Sequence, residues 1–115
     1  MIGGNQVTEL VEKAKQGDRK AFATLIEKKK VQMYKTAFMQ LNNQQDALDA
    51  IQEALLKAYE RIYTLRDNKY FYTWFMRILL NECHNIQRMK KRIVPIEDKY
   101  MENQKRYDPD DFRQL

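Results

Sequence analysis

Apolar residues recur every three or four positions through most of the first 92 residues, a period that predicts helices and not strands. Thr8 reads as the cap of a short first helix running to Gln16, with Gly17 as its left-handed stop. Asp18 then caps a second helical stretch beginning at Arg19. In it Phe22, Leu25, Ile26, Met33, Tyr34, Ala37, Phe38 and Leu41 keep helical phase except around Lys28, Lys29 and Lys30, where a break or bend is expected. Residues 42–45 read as a turn, and Asp46 sits near the start of the next helix, where a carboxylate complements the dipole. That helix is expected to bury Leu48, Ile51, Leu55, Tyr59 and Ile62. Asp46, Asp49, Glu53, Lys57 and Glu60 should then lie largely outside. Residues 65–69 form the last interior loop.

The run from Tyr70 to Arg92 carries the most information. It opens on aromatics and closes with four cations in five residues, Arg88 to Arg92. As a helix it separates into two faces. Phe71, Trp74 or Phe75, Ile78, Cys83, Ile86 and Met89 have the spacing of a buried stripe, while Arg77, Asn81, His84, Arg88 and Lys91 follow the same spacing elsewhere. Aromatics able to stack on bases, followed by a polar and cationic ridge able to track phosphates, are what single-stranded nucleic-acid binding requires. Helix-end cations also complement the dipole, which accounts for one or two of Arg88, Lys90, Lys91 and Arg92 but not for four. Lys28 to Lys30 reads equally as a solvated face or as a second contact to nucleic acid.

Composition narrows the picture. The chain has 115 residues, enough for one domain with a modest core. Three glycines and two prolines occur, and Gly17 is the sole glycine between Thr8 and Arg92, so the economical architecture is all-α. It should be a compact bundle of three longer helices plus a short N-terminal one. The formal charge is +5. From Ile93 onward six acids face four bases, net −2, which leaves +7 on residues 1–92. The cationic character belongs to the helical domain, 1–92, and not to the charged stretch 93–115 that Pro95 and Pro109 bracket.

The single cysteine permits neither an internal disulfide nor a cysteine metal cage, in keeping with a reducing cytoplasm. No secretory leader is read at the start, and no apolar run nears the roughly 18–20 residues of a membrane span. Cys83 falls on the buried stripe. His84, the only histidine, has no serine or cysteine partner arrangement around it. With no glycine-rich phosphate loop and no metal-ligand spacing, the sequence offers no catalytic residue, metal site or cofactor.

Two blocks then carry a resemblance. Asp46, Ala47, Asp49, Gln52, Glu53, Ala58 and Tyr59 match the pattern D-A-E-D-L-V-Q-E-x-F-x-x-A-Y, and Phe71, Thr73, Trp74, Arg77, Ile78 and Asn81 match F-x-T-W-L-x-R-I-A-x-N. Gly17-Asp18 and Ala21-Phe22 fit the usual opening. Over residues 8–92 the chain resembles region 2 of the sigma-70 family, and more narrowly the extracytoplasmic-function (ECF) sigma factors of bacterial RNA polymerase. It departs from them at Leu56, near the usual aromatic, and at Asn85, where the family often has Asp.

The resemblance implies a helical domain that binds core polymerase and recognises and melts the promoter −10 element. Asp46, Asp49, Gln52 and Glu53 would dock on the clamp helices of the β′ subunit. The loop after residue 65 would catch a base flipped from the single-stranded −10 non-template strand. Tyr70 and Tyr72, off the buried stripe, are the candidates to touch it, with Arg66, Asn68 and Asn81 supplying polar edges. Lys69, Arg77, Arg88, Lys91 and Arg92 would hold phosphates. Residues 93–115 read as a flexible linker toward an absent region 4-like domain. Rival readings are a sigma-like module held by an anti-sigma factor, and a helical regulator reading duplex DNA without polymerase. The last predicts a recognition helix with a polar N-terminus, whereas this one opens with aromatics.

Overall fold

The computed structural model describes residues 4–93, with side chains from Gln6 to Lys91. Among these residues four α-helices follow in order: α1 (Gly4–Lys15), α2 (Arg19–Leu41), α3 (Gln44–Arg61) and α4 (Phe71–Ile93). Single 3₁₀ turns at Ile62–Thr64 and Asn68–Tyr70 lead from α3 into α4. This is the expected all-α bundle of three longer helices and a shorter first one. The stretch 94–115, and with it the linker reading, lies outside the described residues.

Each sharp join is made by two adjacent residues, one stopping a helix and one starting the next. Gly17 holds φ +100°, its N–H bonds the Ala14 carbonyl at 3.0 Å, and the Asp18 N–H reaches the Lys13 carbonyl at 3.0 Å. That pair of bonds closes α1 in a Schellman turn. Asp18 then caps α2, its carboxylate accepting from the Ala21 N–H at 3.1 Å. At the second join Asn42 takes the left-handed conformation (φ 51°), and Asn43 caps α3 by accepting from the Asp46 N–H at 2.9 Å. Helix α3 takes in Gln44 and Gln45, which were read as part of the turn, and α1 also begins earlier than expected. It starts at Gly4, before Thr8, because Val7 extends the apolar stripe of Leu10, Val11 and Ala14 by a turn.

Helix α2 runs unbroken through Lys28, Lys29 and Lys30, against the expected bend. Nothing there breaks the backbone ladder, and lysine is a good helix former. The lapse in apolar phase has a different cause. Lys29 stands four residues after Leu25 and four before Met33, both essentially unexposed, yet is itself exposed. The bundle opens at that level.

The core of α3 also differs from expectation. Its seam is Ala47, Ala50, Ala54 and Ala58, each at 0% exposure, while Ile51, Leu55 and Tyr59 flank it half-buried. Leu48 faces solvent at 44%. Large side chains were expected inside, but α3 packs against both α2 and α4, and only methyl groups fit between helices so closely set. On α4, Phe71, Phe75, Leu79 and Cys83 are fully buried. Phe75 and not Trp74 is the core aromatic, Leu79 replaces Ile78, and Met89 is exposed at 61%. Each buried Phe or Leu contributes roughly 1.5–3 kcal/mol. Phe71 centres a cluster of rings, edge-on to Phe22 at 6.2 Å and Tyr72 at 5.2 Å and stacked with Phe75 at 6.3 Å.

Two ion pairs tie α3 to α4 and show the helices to be antiparallel. Lys57 Nζ donates to Glu82 Oε2 at 2.5 Å, and near the other end Lys90 Nζ meets Asp46 Oδ2. Asp46 and Lys57 were expected on the outer face; both instead turn to α4. Glu82 is the one buried charged residue among those described, 7% exposed. Burial, and after it the neighbouring Glu82 carboxylate, pushes the Cys83 thiol up from 9.0 to about 11. Removing one partner of the inner pair leaves a sheltered charge uncompensated. Lys57→Met should therefore destabilise the fold by about 1–3 kcal/mol, an amount discounted for the lysine's partial exposure. Lys57→Met with Glu82→Leu should recover most of the loss. Urea denaturation midpoints of the three chains check this; a single variant as stable as wild type would remove the pair from the account.

Candidate functional site

Two surfaces gather the candidate residues. The first is the side of α3 turned away from the alanine seam. Asp49, Gln52 and Glu53 are all exposed there, within one helical turn of each other, and Gln45 donates to Asp49 Oδ1 at 3.0 Å. Asp46, the fourth residue of that set, is drawn aside to Lys90, its side chain 16% exposed. The helix adds what periodicity had hidden. Leu48 and Leu56, 44% and 58% exposed, stand four residues either side of Gln52. Acids around exposed leucines make a surface that can be desolvated at its centre and held by charge at its rim. The signal was in the sequence: with four alanines available for the seam, the leucines one position beyond Ala47 and two beyond Ala54 must fall outside.

The second surface begins at the turn before α4. Asp67 caps that turn, accepting from the Lys69 N–H at 3.2 Å, and the Tyr70 N–H reaches the Asp67 carbonyl at 3.0 Å. Tyr70 is thereby held outward, 54% exposed, with the Lys69 ammonium 5.2 Å from its ring centre. Arg66 is exposed beside it. Helix α1 supports the turn from beneath: Lys15 Nζ donates to the Leu65 carbonyl at 2.6 Å, and Asn68 Nδ2 donates to Glu12 Oε2 at 3.1 Å. Asn68, expected to offer a polar edge outward, is half-buried and engaged with α1.

Tyr72 is half-buried as well. Its hydroxyl donates to the Leu25 carbonyl at 2.8 Å and burial raises its pKa, while the Lys29 ammonium lies 5.4 Å from the ring centre. Further along α4, Arg77, Asn81, His84, Arg88 and Lys91 alternate at four- and three-residue steps and are all exposed, forming the expected ridge. The Arg88 guanidinium donates to Asn85 Oδ1. Lys90, grouped with the ridge in sequence, leaves it for Asp46. Arg92 continues α4, but its side chain lies outside the described residues. Sequence reasoning had no way to put Lys29 on Tyr72, since 43 positions separate them and no local pattern links the two helices.

Residues 25–93 match the family model described as Sigma-70 region 2. The chain is 38% identical over 101 residues to the ECF RNA polymerase sigma-E factor of Haemophilus influenzae, covering 86% of this chain and 52% of that protein. It is 33% identical to the RNA polymerase sigma factor SigV of Bacillus subtilis, covering 78% of this chain and 54% of that one. To the RNA polymerase sigma-H factor of Pseudomonas aeruginosa it is 34% identical, with 74% and 44% covered. The chain thus spans about half the length of the relatives it matches.

If α1 holds the turn in place, Glu12→Ala with Lys15→Met should speed amide exchange across residues 65–70 by about tenfold, the scale of one to two lost hydrogen bonds. Exchange in the middle of α4 should stay as it is. Hydrogen–deuterium exchange read by mass spectrometry checks this, and unaltered exchange at the turn would show that α1 does not brace it.

Proposed function

The chain belongs to the sigma-70 family as a region 2 domain of the ECF type, and on that premise we propose that it binds core RNA polymerase and recognises and melts the promoter −10 element. The single observation carrying this reading is the division of surfaces. An acidic face set with exposed leucines lies on α3, and an aromatic turn running into a cationic ridge lies on α4. One protein can thus be held by polymerase and by DNA at once, without the two competing for the same side chains. The family acts by binding, and no chemical step is called for. Among the described residues no helix is long and apolar enough to cross a membrane.

Asp49, Gln52 and Glu53 present carboxylates and an amide to arginines of the β′ clamp helices. Charge at the rim speeds encounter and sets register, while Leu48 and Leu56 contribute affinity through desolvation. Melting then follows from differential binding. Extruding a base costs a few kcal/mol, and stacking on an aromatic returns about 1–3 kcal/mol per base. A protein that engages only unpaired bases draws the duplex toward its open form. Tyr70 is the exposed ring for that contact. Lys69, now over its face, moves to a neighbouring phosphate, with Arg66 beside it. Arg77, Asn81, Arg88 and Lys91 follow the strand along α4, and Arg92 extends the same run.

Asp49→Arg with Glu53→Arg should abolish capture of the chain by a β′ clamp-helix fragment while the helical circular dichroism stays that of wild type. Undiminished capture would remove this face from the reading. Tyr70→Ala and Arg88→Ala should each weaken binding of single-stranded −10 DNA by about 1–3 kcal/mol. The arginine change alone should flatten the salt dependence, by roughly 0.7 in log–log slope. Equal affinities and slopes in anisotropy titrations would take both residues out of the DNA site.

A further inference from the structure

Between α2 and α4, at the level of Lys29, lies a groove of about 500 Å³. A bundle gains most by burying an apolar residue between Leu25 and Met33, yet this position holds an exposed lysine. Tyr72, Met76 and Leu80 give the groove a ring and an aliphatic wall, Lys29 and Arg77 supply two cations, and no acid lines it. Among the described residues neither cation forms an ion pair. The occupant that answers both parts is a segment joining an apolar ring to carboxylates. The chain carries such a segment at residues 107–112, where Asp108, Asp110 and Asp111 lie between the rings of Tyr107 and Phe112.

We infer that residues 107–112 dock in this groove, with the Phe112 ring against Met76 and Leu80 and the carboxylates of Asp110 and Asp111 on Lys29 and Arg77. Reach selects these acids over the earlier ones. From Ile93 back along α4 to Met76 is about 25 Å at about 1.5 Å per residue. Residues 94–109 can span about 50 Å, whereas Glu97 and Asp98 lie within about 17 Å of Ile93 along the chain and fall short. Charge favours the same contact, since the stretch from Ile93 onward carries −2 and the helical residues before it +7. Tethering to α4 sets an effective concentration on the order of a millimolar, so even a weak contact is populated. Docked there, the segment withholds Arg77, the first member of the exposed α4 ridge, from other anions. It thereby restrains the DNA contact proposed above for α4. That consequence rests on the DNA reading; the docking does not.

The test uses the whole chain with p-benzoylphenylalanine in place of Phe112, a group that cross-links on irradiation to nearby C–H bonds. Cross-links within one molecule should fall on Met76 or Leu80. Lys29→Glu with Arg77→Glu should remove them, and adding Asp110→Lys with Asp111→Lys should bring them back. Cross-links elsewhere, or only between two molecules, would overturn the docking, as would a charge-reversed pair that cross-links like wild type. In a second arm, Asp110→Asn with Asp111→Asn should raise the affinity of the whole chain for a short single-stranded DNA about fivefold. Unchanged affinity beside intact cross-linking would overturn the restraint on DNA. Absence of DNA binding by both chains would overturn the DNA reading and leave the docking to the cross-links.

Discussion

The rest of the structure depends on the closeness of α3 to its two neighbours, and that closeness depends on four methyl groups. Ala47, Ala50, Ala54 and Ala58 form the whole fully buried face of α3. A larger side chain at any of them forces off-rotamer packing or backbone shifts, at a cost of about 1–3 kcal/mol in a full core. With the seam this narrow, large residues of α3 have nowhere to go but its flanks and its outer side. Leu48 and Leu56 are exposed for that reason, in the midst of acids. The same short spacing lets Lys57 and Asp46 reach across to Glu82 and Lys90, so polar residues that look solvated in a linear reading become ties between helices. The packing rule of the core and the chemistry of the outer face of α3 are one fact seen from two sides.

The surface that begins at the turn before α4 obeys a different constraint, which is that some of its rings stay at the edge of the core and are not swallowed by it. Phe71 and Phe75 anchor the start of α4 in the aromatic cluster, and Tyr70 and Tyr72 are left at the edge of it. Each of these two tyrosines has a lysine ammonium over its ring, Lys69 at 5.2 Å and Lys29 at 5.4 Å. A cation over an exposed ring is worth on the order of 0.5–1 kcal/mol, less than base stacking provides. Such a contact covers the ring without fixing it. Asn68 and Lys15 tie the turn to α1.

The fold was legible because its signals are local. Gly17, Asp18 and the asparagines at 42 and 43 mark both sharp joins through backbone chemistry that any reading of turn residues recovers. The exposed ridge of α4 was legible as well, since every one of its members sits on the same helical period. What misled were positions decided by a neighbouring helix. Periodicity ranks leucine above alanine for a core and so missed the alanine seam of α3 and put Leu48 inside, although Ile62 is buried and Ile51, Leu55 and Tyr59 do pack against the core. It could not foresee that Lys90 would turn to Asp46, or that Asn68 would bond Glu12 across 56 positions. The triplet Lys28 to Lys30 was read as a disturbance of the helix, whereas the helix is intact and what changes is the space in front of it.

The most direct test of the central claim, that separate faces engage polymerase and an opened −10 strand together, is assembly of the three components. The chain is mixed with core polymerase and with a duplex carrying a pre-opened bubble at the −10 element, and complexes are resolved by native electrophoresis. The account predicts a ternary complex in which the chain joins core and bubble DNA simultaneously, while a fully paired duplex of the same sequence is held more weakly. Failure of the chain to enter complexes with core, or equal retention of bubble and paired DNA, would contradict it.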